Sequence, residues 1–421
     1  MMTAATPVCP APRPRQAVIL AGGRGTRMRP WTDSAPKHMY PVAGRPFAHW
    51  LVEQLAAQGF GEILFLLGYL PEATRAYFGN GERYGVSIRY AATPERWETA
   101  ARVAEALPGI DPAFLLCYCD NYWPMRALRL WQTWRDWGAA AQLTVYDNAD
   151  SFTRSNVEVR DGRVVRYDST RQAPRLAGVD IGYALFDRRS LEPLLQNAHE
   201  NQSFQEAVYP ALAAQGRLAA HTTQHRYYGV GHAERLPAAE QFFARRPAVI
   251  LDRDGVLNRR PPVGEYVCDE HAFEWLPGAR EAVARFHRAG YVVVVVTNQA
   301  GVARGLVSTG ALERIHARMR AEAEQAGGRI DAIYCCPHHW ESDCACRKPR
   351  PGMLLAAQRD FHLDLTRTWF LGDDERDAGA AAAAGCLYAE VSERTPLAGY
   401  AEAWLGRAAL SQEFPSLCVS S

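Results

Sequence analysis

Two aspartates two positions apart, in Asp252-Arg253-Asp254-Gly255, directly follow the apolar run 248–251. At the C-terminal end of a buried parallel strand, where α/β folds place their chemistry, such a pair suits phosphoryl transfer. Asp252 is the expected nucleophile on phosphorus. Asp254 is the expected acid for the leaving oxygen and then the base. Later strand ends offer the other parts. Thr297, after the run 291–296, can donate a hydroxyl hydrogen bond to a phosphoryl oxygen, and Lys348 can neutralise developing charge. Asp373, after 368–371, adds a carboxylate for Mg²⁺ beside Asp252 and Asp254. A single Asp-x-Asp-Gly is equally a turn with capping carboxylates; four such elements in order argue for a site.

A second pattern precedes Lys348. Cys336-Pro337-His338 and Cys344-Ala345-Cys346 supply three thiolates and one imidazole, a closed tetrahedral set for structural Zn²⁺. Four protein ligands leave no open position, which argues against catalytic zinc. Binding would contribute on the order of 10 kcal/mol to ordering the loop. Arg347 and Lys348 follow Cys346 directly, so the loop would place Lys348 and aim Arg347 at substrate. Near the other end of the chain, Val18-Ile19-Leu20-Ala21 runs into Gly22-Gly23-Arg24-Gly25-Thr26-Arg27. Glycines there, Gly22 and Gly23 foremost, let backbone N–H groups approach a nucleoside triphosphate. Arg27 adds a forked cation and Lys37 a point charge.

These residues need two scaffolds. Runs at 17–20, 62–67, 114–119 and 142–146 read as strands, with helical spacing at 47–58, 71–77 and 97–107 between them. The alternation implies βαβ units and a mostly parallel sheet. Segments 156–159, 164–167 and 178–186, turned by Asp161-Gly162, suggest an antiparallel insertion or edge. The pattern restarts at 248–251 and continues through strands at 291–296, 330–335, 368–371 and 386–391, with helices near 277–289, 308–325, 351–361 and 375–384. The expected fold class is α/β with two Rossmann-like domains. The expected division is a disordered leader over 1–15, a first domain over 16–245, a second over 246–400 and a tail over 401–421.

The bulk properties agree with two enzymes acting on small molecules. The 421 residues fit two to three domains at ~150 residues each. Lys and Arg total 47 against 46 Asp and Glu, a net charge of +1, which argues against nucleic-acid binding by bulk charge. No apolar run approaches the roughly 20 residues of a membrane span, and residues 1–16 contain no signal-type apolar core. Four of the ten cysteines crowd into 335–346, a pattern of metal binding in a cytoplasmic chain more than of disulfides.

The second-half motifs, DRDGVLN (252–258), FEWLPGA (273–279), VVVTNQAGVARG (294–305), CPHH…CACRKPRPGM (336–353) and LGDD (371–374), resemble the D-glycero-D-manno-heptose 1,7-bisphosphate 7-phosphatases. These are haloacid-dehalogenase-like enzymes with a zinc-stabilised specificity loop. The resemblance places the nucleophile on Asp252, the acid/base on Asp254, phosphoryl stabilisation on Thr297 and Lys348, and substrate recognition on Arg347. The stretch 259–265 is longer than usual and lies near where substrate should enter. Histidinol-phosphate phosphatases share much of the pattern.

The Gly-rich segment, with Arg27 and Pro36-Lys37, resembles the sugar-1-phosphate nucleotidyltransferases, and the resemblance continues through Cys119-Asp120-Asn121 and Val179-Asp180-Ile181-Gly182-Tyr183. It implies that Asp120 holds Mg²⁺. Three departures stand out. Residues 96–101 replace the family's Leu-Gly-Thr-Gly/Ala-Gly segment, Ser169 replaces a lysine, and Gly229 stands where a second metal carboxylate is usual. The departures leave open a non-catalytic domain that binds nucleotide or sugar phosphate. Joined, the two enzymes make sense in sequence: a phosphatase yields a sugar 1-phosphate, and a transferase, guanylyl by resemblance, couples it to a nucleoside triphosphate for surface polysaccharide. The expected partners are sugar phosphates and a nucleoside triphosphate, with no nucleic acid and no membrane.

Overall fold

A computed structural model of the chain describes residues 13–196, 198 and 202–408. The chain divides into two compact units after Phe243. Most of the expected leader lies outside the described residues. Its last three residues are engaged with the first unit: Arg13 donates to the Gln58 carbonyl, Pro14 is buried, and the Arg15 carbonyl accepts from the Glu62 N–H.

The first unit is built on a nine-stranded sheet. Its strands are β1 (Gln16–Ala21), β2 (Glu62–Leu67), β3 (Ser87–Ala92), β4 (Ala113–Tyr118), β5 (Ala141–Tyr146), β6 (Val157–Arg160), β7 (Arg163–Tyr167), β8 (Val179–Asp187) and β9 (Leu218–Thr223). The order is β3-β2-β1-β4-β8-β5-β9-β7-β6. β3, β2, β1 and β4 are parallel, and β8 runs antiparallel to both its neighbours. The helices are α1 (Phe47–Ala57), α2 (Pro71–Phe78), α3 (Thr99–Ala106), α4 (Ala127–Trp137), α5 (Arg188–Leu195), α6 (Phe204–Ala214) and α7 (Leu236–Phe243). Alternation along β1 divides the core: Ala17, Ile19 and Ala21 enter one apolar cluster, and Val18 and Leu20 the other. A strand covered on both faces reads as a continuous apolar run, and QAVILA does.

The segment 156–187 corrects an expectation. β6 and β7 do form the sheet's antiparallel edge, but β8 lies in its middle, between β4 and β5. Eight of its nine residues are buried, a pattern that only a central strand sustains.

The second unit carries a five-stranded, all-parallel sheet: β10 (Ala248–Leu251), β11 (Val292–Asn298), β12 (Ala332–Cys336), β13 (Trp369–Gly372) and β14 (Leu387–Glu390), in the order β12-β11-β10-β13-β14. Its helices are α8 (Ala279–Arg288), α9 (Thr309–Gln325), α10 (Gly352–Phe361), α11 (Glu375–Ala384) and α12 (Leu397–Ala408). Side-chain caps start two of them: Ser308 accepts from the Ala311 N–H and Asp374 from the Arg376 N–H. The tail expected from 401 is corrected in its first part. Residues 401–408 complete α12, which packs on α8 and buries Ala401 fully; 409–421 lie outside the described residues. Among the described residues, no helix is long and apolar enough to cross a membrane.

Candidate active sites

The parallel order of the second sheet brings the ends of β10, β11 and β13 side by side. Asp252 follows β10 and its N–H donates to the Leu371 carbonyl on β13 at 3.0 Å. Lys348 is buried. Its Nζ lies 2.8 Å from Asp252 Oδ1 and 2.7 Å from Asp377 Oδ1, and donates to the Val296 carbonyl at 3.3 Å. Asp252, Asp373 and Asp377 bring carboxylate oxygens within 4.8 Å of one another, a group that could hold a metal ion. Gly255, at φ +94, makes room for this: a Cβ there would run into the Asp373 carboxylate.

Charge in this cluster is strongly shifted. Burial, opposed by Lys348 and reinforced by Asp377, pushes the Asp252 carboxyl up to about 7. Burial and the Asp252 charge likewise raise Asp373 to about 6. Lys348 is raised: burial disfavours its charge, but the two carboxylates beside it outweigh that. The arrangement gathers a buried carboxylate, a cation and further carboxylates at one set of strand ends, the kinds of group that phosphoryl transfer requires.

Asp254 is not drawn into the acidic group. Its carboxylate accepts from Arg253 Nη2 at 2.8 Å, Asn258 Nδ2 at 2.9 Å and Gln299 Nε2 at 2.7 Å. Burial pushes its carboxyl up, but the fully buried Arg253 and the two amides hold it below its ordinary value. This carboxylate, expected to hold Mg²⁺, is turned onto Arg253 here. Thr297 is buried, with its hydroxyl accepting from Gln299 Nε2 at 2.8 Å. Arg347 is half-buried, and its Nη1 is buried with no hydrogen-bond partner among the described residues.

Cys336, His338, Cys344 and Cys346 converge. Cys336 Sγ lies 3.7 Å from Cys344 Sγ and 3.6 Å from His338 Nδ1. Bond lengths of about 2.3 Å to sulfur and about 2.0 Å to nitrogen put the edges of a tetrahedron at roughly 3.5–3.8 Å, so the donors fit one ion. Burial raises the Cys344 thiol, yet hydrogen bonds from Ser342 and the Arg347 backbone hold it down to about 6.

Four functional neighbours escaped sequence reasoning. Asp377 is one helical turn beyond Asp373, a spacing that could have flagged it. Asn298 brackets the lysine backbone, donating to the Lys348 carbonyl and accepting from its N–H, both at 3.1 Å. Gln299 and Arg253 hold Asp254. Nothing in the type of these last three residues announces a partner.

In the first unit Gly22 and Gly23 follow β1, and Lys37 Nζ lies 2.7 Å from Asp120 Oδ2 beyond β4. Asp120 is lowered: burial raises it, but Lys37 more than compensates. Arg27 Nη1 lies 2.9 Å from His232 Nε2. The open face of Gly22 receives the Arg102 guanidinium, with which a Cβ would collide, and the same holds at Gly68. Arg102, buried on α3, donates to the Leu67 carbonyl at 2.8 Å and the Glu95 carbonyl at 2.9 Å, and to Thr93 Oγ1. Gly229 has no room for the absent carboxylate, since its Cβ would lie 2.8 Å from the Asp120 carbonyl oxygen.

Fold and site together define the second unit as a haloacid-dehalogenase-like hydrolase, and residues 184–385 match the family model of that description. Residues 16–150 match the nucleotidyl transferase model. The D-glycero-β-D-manno-heptose-1,7-bisphosphate 7-phosphatase of Bordetella bronchiseptica is 46% identical over 145 residues, 33% of this chain and 76% of that protein. The chain belongs to this phosphatase family and is an enzyme, with a nucleotidyltransferase-like domain preceding the phosphatase domain. A crystal structure of the B. bronchiseptica D,D-heptose 1,7-bisphosphate phosphatase with magnesium and phosphate is similar at 39% identity and TM-score 0.36, covering 38% of this chain and 99% of that one. HddC from Yersinia pseudotuberculosis is similar at 21% identity and TM-score 0.47, covering 54% of this chain and 99% of that one.

Proposed function

We propose that the second unit removes the 7-phosphate of D-glycero-D-manno-heptose 1,7-bisphosphate and that the first unit transfers a nucleotidyl group, guanylyl by its resemblance, to the heptose 1-phosphate produced. The observation that carries the reading is Lys348 held between Asp252 and Asp377, beside Asp373 and next in sequence to Arg347 with its unpartnered Nη1. One anion is served by Lys348, and a second by Arg347, as a bisphosphate requires.

Asp252 Oδ attacks phosphorus, the P–O bond to C7 breaks, and the departing oxygen takes a proton from Asp254. Asp254 then accepts a proton from the water that cleaves the aspartyl phosphate, releasing orthophosphate and restoring Asp252. Its hold by Arg253 favours the base form, so substrate binding must loosen that fork before Asp254 can serve as acid. Thr297 and Lys348 stabilise the transferring phosphoryl group. Mg²⁺, which Asp252 and Asp373 would hold, supplies charge neutralisation at phosphorus. Zn²⁺ would occupy the Cys336–His338–Cys344–Cys346 set and fix Arg347 and Lys348, with no chemical role. The relatives' substrate favours heptose bisphosphate over histidinol phosphate, whose product has no use for a nucleotidyl group.

In the first unit, the Gly22-Gly23 loop, Arg27 and Lys37 would bind the triphosphate, and Asp120 a second Mg²⁺. A second reading, binding of nucleotide without transfer, is favoured by Gly229, which stands where a second metal carboxylate is usual and has no room for one. A phosphorus NMR time course on the intact protein tests both, with the bisphosphate, Mg²⁺, GTP and inorganic pyrophosphatase present. Orthophosphate with a growing sugar-nucleotide diester signal is the expected result. Heptose 1-phosphate accumulating beside untouched GTP would leave the phosphatase and support the second reading. No orthophosphate would overturn the first.

A further inference from the structure

The long stretch 259–265 is anchored at both ends and exposed at its crest. Asn258 and Val267 are buried, whereas Val263 is fully exposed. From this loop Arg260, itself exposed, sends a forked guanidinium onto two carboxylates: Nη1 lies 3.0 Å from Asp373 Oδ2 and Nη2 2.7 Å from Asp374 Oδ2.

The two acceptors are not equivalent. Asp374 has a cation of its own, because Arg376 contacts both its oxygens at 2.8 Å while Asp374 caps α11. Asp373 belongs to the three-carboxylate group, where Lys348 reaches Asp252 and Asp377. Three carboxylates against one ammonium leave surplus negative charge, and Arg260 supplies the cation at Asp373. A guanidinium and a divalent cation brought to the same Asp373 carboxylate repel each other and compete for its charge.

We propose that Arg260 is the resident counter-ion of Asp373, that a divalent cation entering beside Asp252 and Asp373 displaces it, and that the freed loop then presents its guanidinium to the incoming phosphate ester. This rests on the phosphatase reading. Metal uptake and loop release become one event, and the site exchanges an internal cation for one bound to substrate. The argument predicts the sign of an effect that a merely structural arginine would not produce: its removal strengthens metal binding.

The test is Mn²⁺ binding to the full-length protein without substrate, followed by electron paramagnetic resonance, in wild type, Arg260→Gln, Arg260→Lys and Asp373→Asn. Arg260→Gln should bind Mn²⁺ about three- to tenfold more tightly, with Arg260→Lys between it and wild type. Equal or weaker binding by Arg260→Gln, with binding still lost in Asp373→Asn, would overturn the inference and leave the phosphatase reading standing. Wild-type protein no different from Asp373→Asn would overturn both.

Discussion

Lys348 and Asp377 form a buried ion pair, Nζ to Oδ1 at 2.7 Å, and the same ammonium lies 2.8 Å from Asp252. Asp377 thereby fixes the cation that faces Asp252. It also accepts from the Asp373 N–H at 3.2 Å, so it supports two neighbours at once.

Asp377→Asn should lower phosphatase kcat by about 10–100-fold and destabilise the second unit by about 2–3 kcal/mol, because it leaves a buried ammonium with one carboxylate instead of two. Steady-state phosphate release and urea unfolding measure the two effects. Wild-type kcat in the variant would show that the pair is only structural.

The nucleophile assignment makes a harsher demand. Asp252→Asn should reduce orthophosphate release by at least about 10³-fold while the protein stays folded. Trapping with radiolabelled bisphosphate should show phosphate bound to wild type and none on the variant.

For the sulfur-rich loop, metal analysis should return about one Zn per chain. Cys344→Ser, or prolonged chelation at neutral pH, should remove it and lower the unfolding midpoint of the second unit. Phosphate release should fall with the zinc, because Lys348 follows the loop directly. Full activity in zinc-free protein would refute the positioning role.

Asp180 gives a pH prediction in the first unit. It is buried, accepts from Tyr167 Oη at 3.0 Å and from the Gly182 N–H at 2.9 Å, and burial raises its carboxyl from 3.8 to about 6. The folded state therefore holds this proton more tightly than the unfolded state. The resulting stability is fully present below pH 3.8 and lost as pH rises through about 6. Above that the ionised carboxylate costs about 3 kcal/mol, so Asp180→Asn should raise the first unit's melting temperature at pH 8 and progressively less toward pH 5. A shift independent of pH would contradict the assignment.

Asp120→Asn separates the two units' chemistries. It removes the partner of Lys37 and the expected metal carboxylate, so pyrophosphate release from GTP and heptose 1-phosphate should vanish while orthophosphate release from the bisphosphate stays unchanged. Parallel assays on one preparation suffice.

Much of the molecule was legible in its sequence. Runs such as 62–67 and 248–251 coincide with strands because central parallel strands are apolar on both faces, and their short length and β-branched content separate them from buried helix segments. The place of Asp252 at a strand end and the convergence of Cys336, His338, Cys344 and Cys346 were legible because residue type and spacing carry them: a carboxylate directly after an apolar run, and four metal-ligand side chains within eleven residues of loop. The central place of β8, the bracket of Asn298 on Lys348, the turn of Asp254 onto Arg253, and Arg102 over Gly22 were settled only by the tertiary structure. Each joins groups through strand order, burial or side-chain rotamer. A linear sequence carries the donors and acceptors but not which of them close packing and desolvation will force to meet.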